Sequence, residues 1–282
     1  MLRALAAAAI CCAALLVPPA ALAATIHYWQ FESGAFLNDS VGGAHLTSGL
    51  APAEVAIPPS GRGSTFDDVL TGNGSAADFP SSATGLTAEI GVPTQDFTIE
   101  LFAHMDAFVS GFGSHLAGPA VTGVGWAWSI QVRHDGFGGS LVDSLVFGVQ
   151  NPFGATELME SGIVMQTGKD YFLAVAFDTD GSTGGTATFY VQNLTDGGVL
   201  QTVSVAHSTA SLAAFTSFGI GGFVSFNGLE TDGLIDQVRL SNTALTANQL
   251  LIAPEPSGTA LVALGLLVIG WLRRGRTAVR MA

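Results

Sequence analysis

A side-chain period of two recurs through the middle of this chain, and it constrains the fold more than any other feature. In Phe97-Thr-Ile-Glu-Leu-Phe-Ala-His-Met-Asp106, one face carries Phe97, Ile99, Leu101, Ala103 and Met105. The opposite face carries Thr98, Glu100, Phe102, His104 and Asp106. Trp126, Trp128, Ile130 and Val132 alternate in the same way with Ala127, Ser129, Gln131 and Arg133. Such alternation marks strands that lay one face on a core. Sharing a face with Ile130 and Val132 predicts that both indoles are core, although rings of this kind also stack on sugars. Tyr171–Phe177 is apolar on both faces, as a central strand is, and 178–185 turns the chain into a second strand, Thr186–Asn193. Further strands are predicted at Ile26–Phe31, Leu86–Ile90, Ser144–Gln150, Gly162–Gln166, Leu200–Ala206, Ser217–Val224 and Leu234–Leu240. Leu50–Asn73 and Ser110–Gly125 read as loops, and only Thr246–Leu251 reads as helix, with Thr246 as its N-cap. Many strands between Gly-rich turns, without a fixed repeat, predict an all-β sandwich over residues 24–250 rather than a propeller or solenoid.

The N-terminal end predicts export. Arg3, an apolar run from Leu5 to Val17 and the small-x-small sequence Ala21-Leu22-Ala23 form a secretory signal peptide, cut between Ala23 and Ala24. Cys11 and Cys12 both lie inside it, so the mature chain has no cysteine. Disulfides, thiolate catalysis and Cys-ligated zinc are thereby excluded, and the core must hold the fold, with or without a bound ion. Between Ala24 and Ala253 there are 21 acidic side chains against Arg62, Arg133, Lys169 and Arg239, a net charge of −17. Such a body repels nucleic acid and anionic lipid and attracts divalent cations.

At the C-terminal end Pro254-Glu255-Pro256 precedes an apolar run from Gly258 to Leu272, and Arg273, Arg274 and Arg276 follow. As a helix, Ser257–Leu272 spans about 24 Å, which reaches across a membrane core of about 30 Å with help from Trp271 and the Arg side chains. An ordinary membrane anchor has this form. The combination from Ala253 to Arg276 resembles the PEP-CTERM sorting signal of Gram-negative bacteria. That resemblance implies transient anchoring in the inner membrane and recognition by an exosortase-type enzyme. Delivery to the cell surface, outer envelope or extracellular matrix would follow.

The body contains, in order, Ile26-His-Tyr-Trp-Gln-Phe-Glu32, Asn38-Asp-Ser-Val-Gly-Gly43, Phe97-Thr-Ile-Glu100, Tyr171-Phe-Leu-Ala-Val-Ala-Phe-Asp178, Thr188-Phe-Tyr-Val191 and Gly233-Leu-Ile-Asp-Gln-Val-Arg-Leu-Ser241. This series resembles the laminin G-like, concanavalin A-like lectin/glucanase superfamily. It implies a jelly-roll sandwich whose concave face often meets carbohydrate. In many such modules an early and a late Asp converge on calcium; Asp39 and Asp236 hold the matching positions, with Asn38 or Glu32 as helpers. The alternative is local: Asp39 caps a turn, and Asp236 pairs with Arg239 or a backbone amide. The sequence departs from the family at Tyr190-Val-Gln-Asn193, where Tyr-Val-Asp-Gly is usual, and at Tyr171, where Trp is common.

Few residues carry reaction chemistry. Retaining glycosidases need two carboxylates about 5 Å apart. The nearest approach, Glu230-Thr-Asp232-Gly233-Leu-Ile-Asp236, lacks a second Glu, and Gly233 interrupts the expected strand. Ser114-His115 is mere adjacency, His104, His115 and His134 lack metal-ligand spacing, and Asp178-Thr-Asp180-Gly181 reads as a hairpin turn rather than a calcium loop. Glu100, Phe102 and His104 form a polar-aromatic row suited to a glycan groove or to a solvated outer face. The expectation is an exported, non-enzymatic module that binds extracellular polysaccharide. A polysaccharide-active enzyme and a protein-adhesion module are the alternatives.

Overall fold

The computed structural model describes residues 25–32, 34–48, 53–56, 75–79, 86–91, 93–108, 113–119, 127–134, 142–181, 184–222 and 231–252. The signal cleavage site at Ala23 and Ala24, Trp126, Glu230 and the sorting motif with Pro254, Glu255, Pro256, Arg273 and Arg274 lie outside them. Among the described residues no helix is long and apolar enough to cross a membrane.

Among the described residues, fifteen strands form two antiparallel sheets. The eight-stranded sheet has the order β13 (Gln201–His207), β12 (Gly185–Asn193), β11 (Asp170–Thr179), β6 (Phe97–Ala107), β15 (Asp232–Ser241), β4 (Ser75–Phe79) and β3 (Ala53–Ala56). Its eighth strand, β1 (Thr25–Trp29), also pairs with β15. The seven-stranded sheet runs β10 (Thr156–Val164), β9 (Ser144–Gln150), β8 (Trp128–Arg133), β7 (Ser114–Gly118), β14 (Ser217–Ile220), β5 (Leu86–Glu89) and β2 (Thr47–Ser48).

The predicted alternation sets which side chains meet between the sheets. Phe97, Ile99, Leu101, Ala103 and Met105 of β6 join Trp128, Ile130 and Val132 of β8 in one buried cluster. The aromatic rings bridge the layers. Phe97 lies 4.7 Å from Trp128, Phe147 lies 5.8 Å from Phe177, and Trp29 stacks on Phe218 at 5.2 Å. Trp128 is thus core, as its neighbours on the strand predicted, and this continuous core holds a cysteine-free body together.

Five expectations need correction. The stretch Ser110–Gly125 contains β7, whose only large apolar residue is Leu116, so glycines and a short alternation hid it. Leu50–Asn73 contains the four residues of β3, held by pairing with β4. The strand expected at Gly162–Gln166 is instead β10, which begins earlier and carries Glu157 and Glu160. The helix expected at Thr246–Leu251 is a single 3₁₀ turn, Ala247–Gln249. Gly233, expected to break a strand, lies inside β15.

Candidate functional site

The outer face of the eight-stranded sheet carries the row Glu100, Phe102 and His104. Its register sets Asp170, Phe172 and Ala174 of β11 beside His104, Phe102 and Glu100, and Asp236 and Arg239 of β15 beside Phe102 and Glu100. Each charge finds a partner within the sheet. Arg239 Nε donates to Glu100 Oε1 at 2.6 Å, and His104 Nδ1 lies 2.6 Å from Asp170 Oδ1. Phe102 meets Phe172 edge to face at 5.3 Å. All three members of the row are buried, and Glu100 and His104 are engaged by Arg239 and Asp170 within the sheet.

A bulge in β15 shapes this face. The register slips between Asp236 and Arg239, where Gln237 adopts φ 49°. The extra residue sends Val238 into the core, and the Gln237 side chain accepts a hydrogen bond from Tyr28 Oη at 3.0 Å. Asp236 Oδ1 accepts the amide of Gln237 at 2.7 Å.

Asp39 stands in a different setting. Its Oδ1 accepts the amides of Tyr28, Val41 and Gly42 at 2.9, 3.0 and 2.9 Å. Its Oδ2 accepts the amide of Ala44 at 3.0 Å and lies 2.6 Å from His27 Nδ1. A carboxylate offers about four lone-pair directions, and calcium asks for six to eight free oxygens. The donors around Asp39 use that capacity, so the donor set does not fit a calcium ion shared with Asp236. Among the described residues no group of three or more His, Cys, Asp or Glu could hold a metal. The hydrogen bonds present are those of the local alternative, a turn cap and a backbone-bonded Asp236.

Burial alone would raise the pKa of Asp39, but the bonds from Tyr28, His27, Gly42 and Val41 outweigh it and hold the group at about 2. A depressed carboxylate stabilises the fold fully above its unfolded value of about 3.9, and the contribution fades as pH falls toward its folded value. Asp39→Asn should therefore flatten the fall in melting temperature between about pH 4 and about pH 2. Equal slopes for the two proteins would contradict this.

The outer face of the seven-stranded sheet was not singled out by sequence, though the alternation along β8 pointed to it. Opposite the core residues of β8, Ser129, Gln131 and Arg133 form a line, and Gln131 Nε2 donates to Ser129 Oγ at 2.9 Å. Register sets His115 of β7 beside Gln131, and Ser144, Val146 and Gly148 of β9 beside Arg133, Gln131 and Ser129. Glu160 of β10 lies next to Val146 and interacts electrostatically with Arg133. Gln131 and Arg133 each keep 6% of their surface exposed, so this line is buried, as is the row on the other sheet. Burial pushes the His115 imidazole down to about 3, leaving it neutral at neutral pH. It also lowers the Arg133 guanidinium, against the opposing pull of Glu160. The Ser144 hydroxyl is buried with no hydrogen-bond partner among the described residues. Amide, hydroxyl, imidazole and guanidinium groups fixed on strands can donate to and accept from a polyol without moving.

The strands of this sheet carry three carboxylates: Glu157 and Glu160 on β10, and Glu89 on β5. Glu157 accepts hydrogen bonds from Ser208 and Thr209. β10 and β5 are five strand spacings apart, about 24 Å. Glycoside hydrolysis needs about 5–10 Å.

The two sheets and the core between them define a jelly-roll sandwich of the lectin type. The sequence profile of the concanavalin A-like lectin/glucanases superfamily matches residues 71–251, and the chain belongs to that superfamily. By sequence, no curated protein matches it. Among solved structures it is similar to domain 4 of AbnA, a GH43 extracellular arabinanase from Geobacillus stearothermophilus, in complex with arabinotriose. Identity is 17% and the TM-score 0.50, over 80% of this chain and 95% of that one. It is also similar to the binding domain of botulinum neurotoxin serotype G, at 12% identity and TM-score 0.50, over 80% of this chain and 49% of that one. A third similar structure is a Trypanosoma rangeli sialidase, at 14% identity and TM-score 0.51, over 83% of this chain and 32% of that one. This chain thus spans about half the neurotoxin domain and a third of the sialidase, and these likenesses concern the fold.

Proposed function

We propose that this protein is an exported, non-catalytic carbohydrate-binding module whose ligand lies across the outer face of the seven-stranded sheet. The observation that carries the reading is the polar floor of Ser129, Gln131 and Arg133 flanked by His115 and Ser144. Membership of a lectin and glucanase superfamily supports it, as does likeness to an arabinanase domain captured with arabinotriose. Binding is favoured over cleavage by the wide separation of the β10 carboxylates from Glu89, and by the engagement of Glu157 with Ser208 and Thr209. Export and handling by an exosortase-type system belong to the same proposal and rest on the Ala21-Leu22-Ala23 and Pro254-Glu255-Pro256 sequences.

Residues 24–253 on a glycan array should bind a neutral polysaccharide or its oligosaccharides without releasing product. Absence of binding to every glycan would remove the reading, and release of shortened sugars would replace it with an enzyme. Alanines in place of Pro254-Glu255-Pro256 should leave uncut protein in the inner membrane, whereas normal processing would count against the sorting signal.

A further inference from the structure

Phe153 is the only aromatic among the large hydrophobic side chains left exposed in the described residues, and 95% of its surface is open. The other exposed members of that set are Val41, Val142, Val164 and Val199. Phe153 sits in the turn joining β9 to β10, and the sequence around it builds a rigid mount. Pro152 fits the second position of a turn closed by Gly154 N donating to Asn151 O at 3.0 Å, and Gly154 takes φ 86°. Asn151 Oδ1 accepts the amides of Phe153 and Ala155 at 2.9 and 3.0 Å, and Gln150 Nε2 donates to Gly154 O at 3.2 Å. Asn151 N donates to Ala155 O at 2.9 Å, so the tip is cross-linked from both sides. A ring held in this way loses little freedom when it is covered.

The register relates this tip to the polar floor. Arg133 lies opposite Ser144, Ser129 opposite Gly148, and Trp128 opposite Val149. Passing along β8 from Arg133 through Gln131 to Ser129 therefore leads toward the end of the sheet where the tip projects. Gly148 adds no side chain beside Ser129 on that path. Four residues separate Gly148 from Phe153, and the five steps between them span at most about 18 Å.

We propose that Phe153 is a stacking subsite for a sugar ring at one end of the glycan surface. This rests on the reading of the β8 floor as that surface, and it adds the requirement that the ligand is a chain long enough to reach the tip. The face of an aromatic ring carries negative quadrupole charge, and the C–H groups on one face of a pyranose or furanose are its complement. Residues 150–156 bear no charge, so nothing on the tip attracts an anionic headgroup, and the net charge of the whole chain, −13, repels one. A neutral sugar fits both facts.

The test uses the full chain with Phe, Ala or Trp at position 153. Affinity is measured for disaccharides and for longer oligosaccharides of arabinan, glucan and mannan. Phe153→Ala should weaken the longer ligands about tenfold and leave disaccharides on the floor unaffected, while Phe153→Trp should keep the affinity of the original protein. If the unaltered protein binds none of these sugars, the floor reading falls and this proposal with it. If it binds them and Phe153→Ala changes nothing at any length, only the stacking subsite is overturned. Loss of flotation with phosphatidylglycerol vesicles, or of self-association, in Phe153→Ala with sugar affinity intact would assign the ring to a membrane or to a second copy.

Discussion

Gly233→Ala should destabilise the protein by about 4 kcal/mol and lower its melting temperature by about 10 °C. Gly233 takes φ +147° inside β15, at the point where the register against β6 shifts between Asp232 and Gly233. A Cβ built there lies 1.9 Å from the carbonyl oxygen of His104 and 3.0 Å from the amide nitrogen of Asp106. Both neighbours are backbone of the central strand β6, which is held by β11 on its other side, so neither can yield cheaply. Gly154→Ala is the control. It also has positive φ, but its Cβ meets nothing within 4 Å, so only the conformational term of about 1 kcal/mol applies. Thermal melts of the two variants compare clash with conformation, and similar losses would contradict the close approach at Gly233.

Removing one member of the Glu100–Arg239 pair should have an effect of similar size. Glu100 has no exposed side-chain surface, and Arg239 keeps 16%. Arg239→Met would leave a buried carboxylate without its guanidinium, at a cost of about 3–5 kcal/mol. Glu100→Gln removes the charge but keeps the shape and should cost less. The double variant Glu100→Gln, Arg239→Met should recover a large part of the loss, because the stranded charge has gone. Denaturant unfolding of the four proteins measures the coupling. Additive losses would show that the two side chains act independently.

Period-two alternation made the core face of β6, β8 and β11 legible in the sequence, since each inward residue is large and apolar. The outward residues could not be ranked in the same way. Glu100 and His104 look solvated in one dimension, and only strand order reveals Arg239 and Asp170 as their neighbours, 139 and 66 residues away. Ser129, Gln131 and Arg133 were equally visible as an alternation, but their relation to His115 and Ser144 depends on the pairing of β7, β8 and β9. The strand β7 was hidden because glycines surround a segment with one large apolar side chain. Asp39 shows how a family-derived expectation meets local chemistry. Five groups within eighteen residues, from His27 to Ala44, engage its carboxylate, and an Asp before Ser-Val-Gly-Gly is well suited to that role.

Affinity for the best array ligand, compared between Gln131→Ala and Glu100→Gln, separates the two outer faces in one titration. With folding of both variants verified by melting, Gln131→Ala should weaken binding at least about tenfold, and Glu100→Gln should leave it unchanged. Loss of binding in Glu100→Gln with full affinity in Gln131→Ala would move the ligand to the eight-stranded sheet and contradict the assignment.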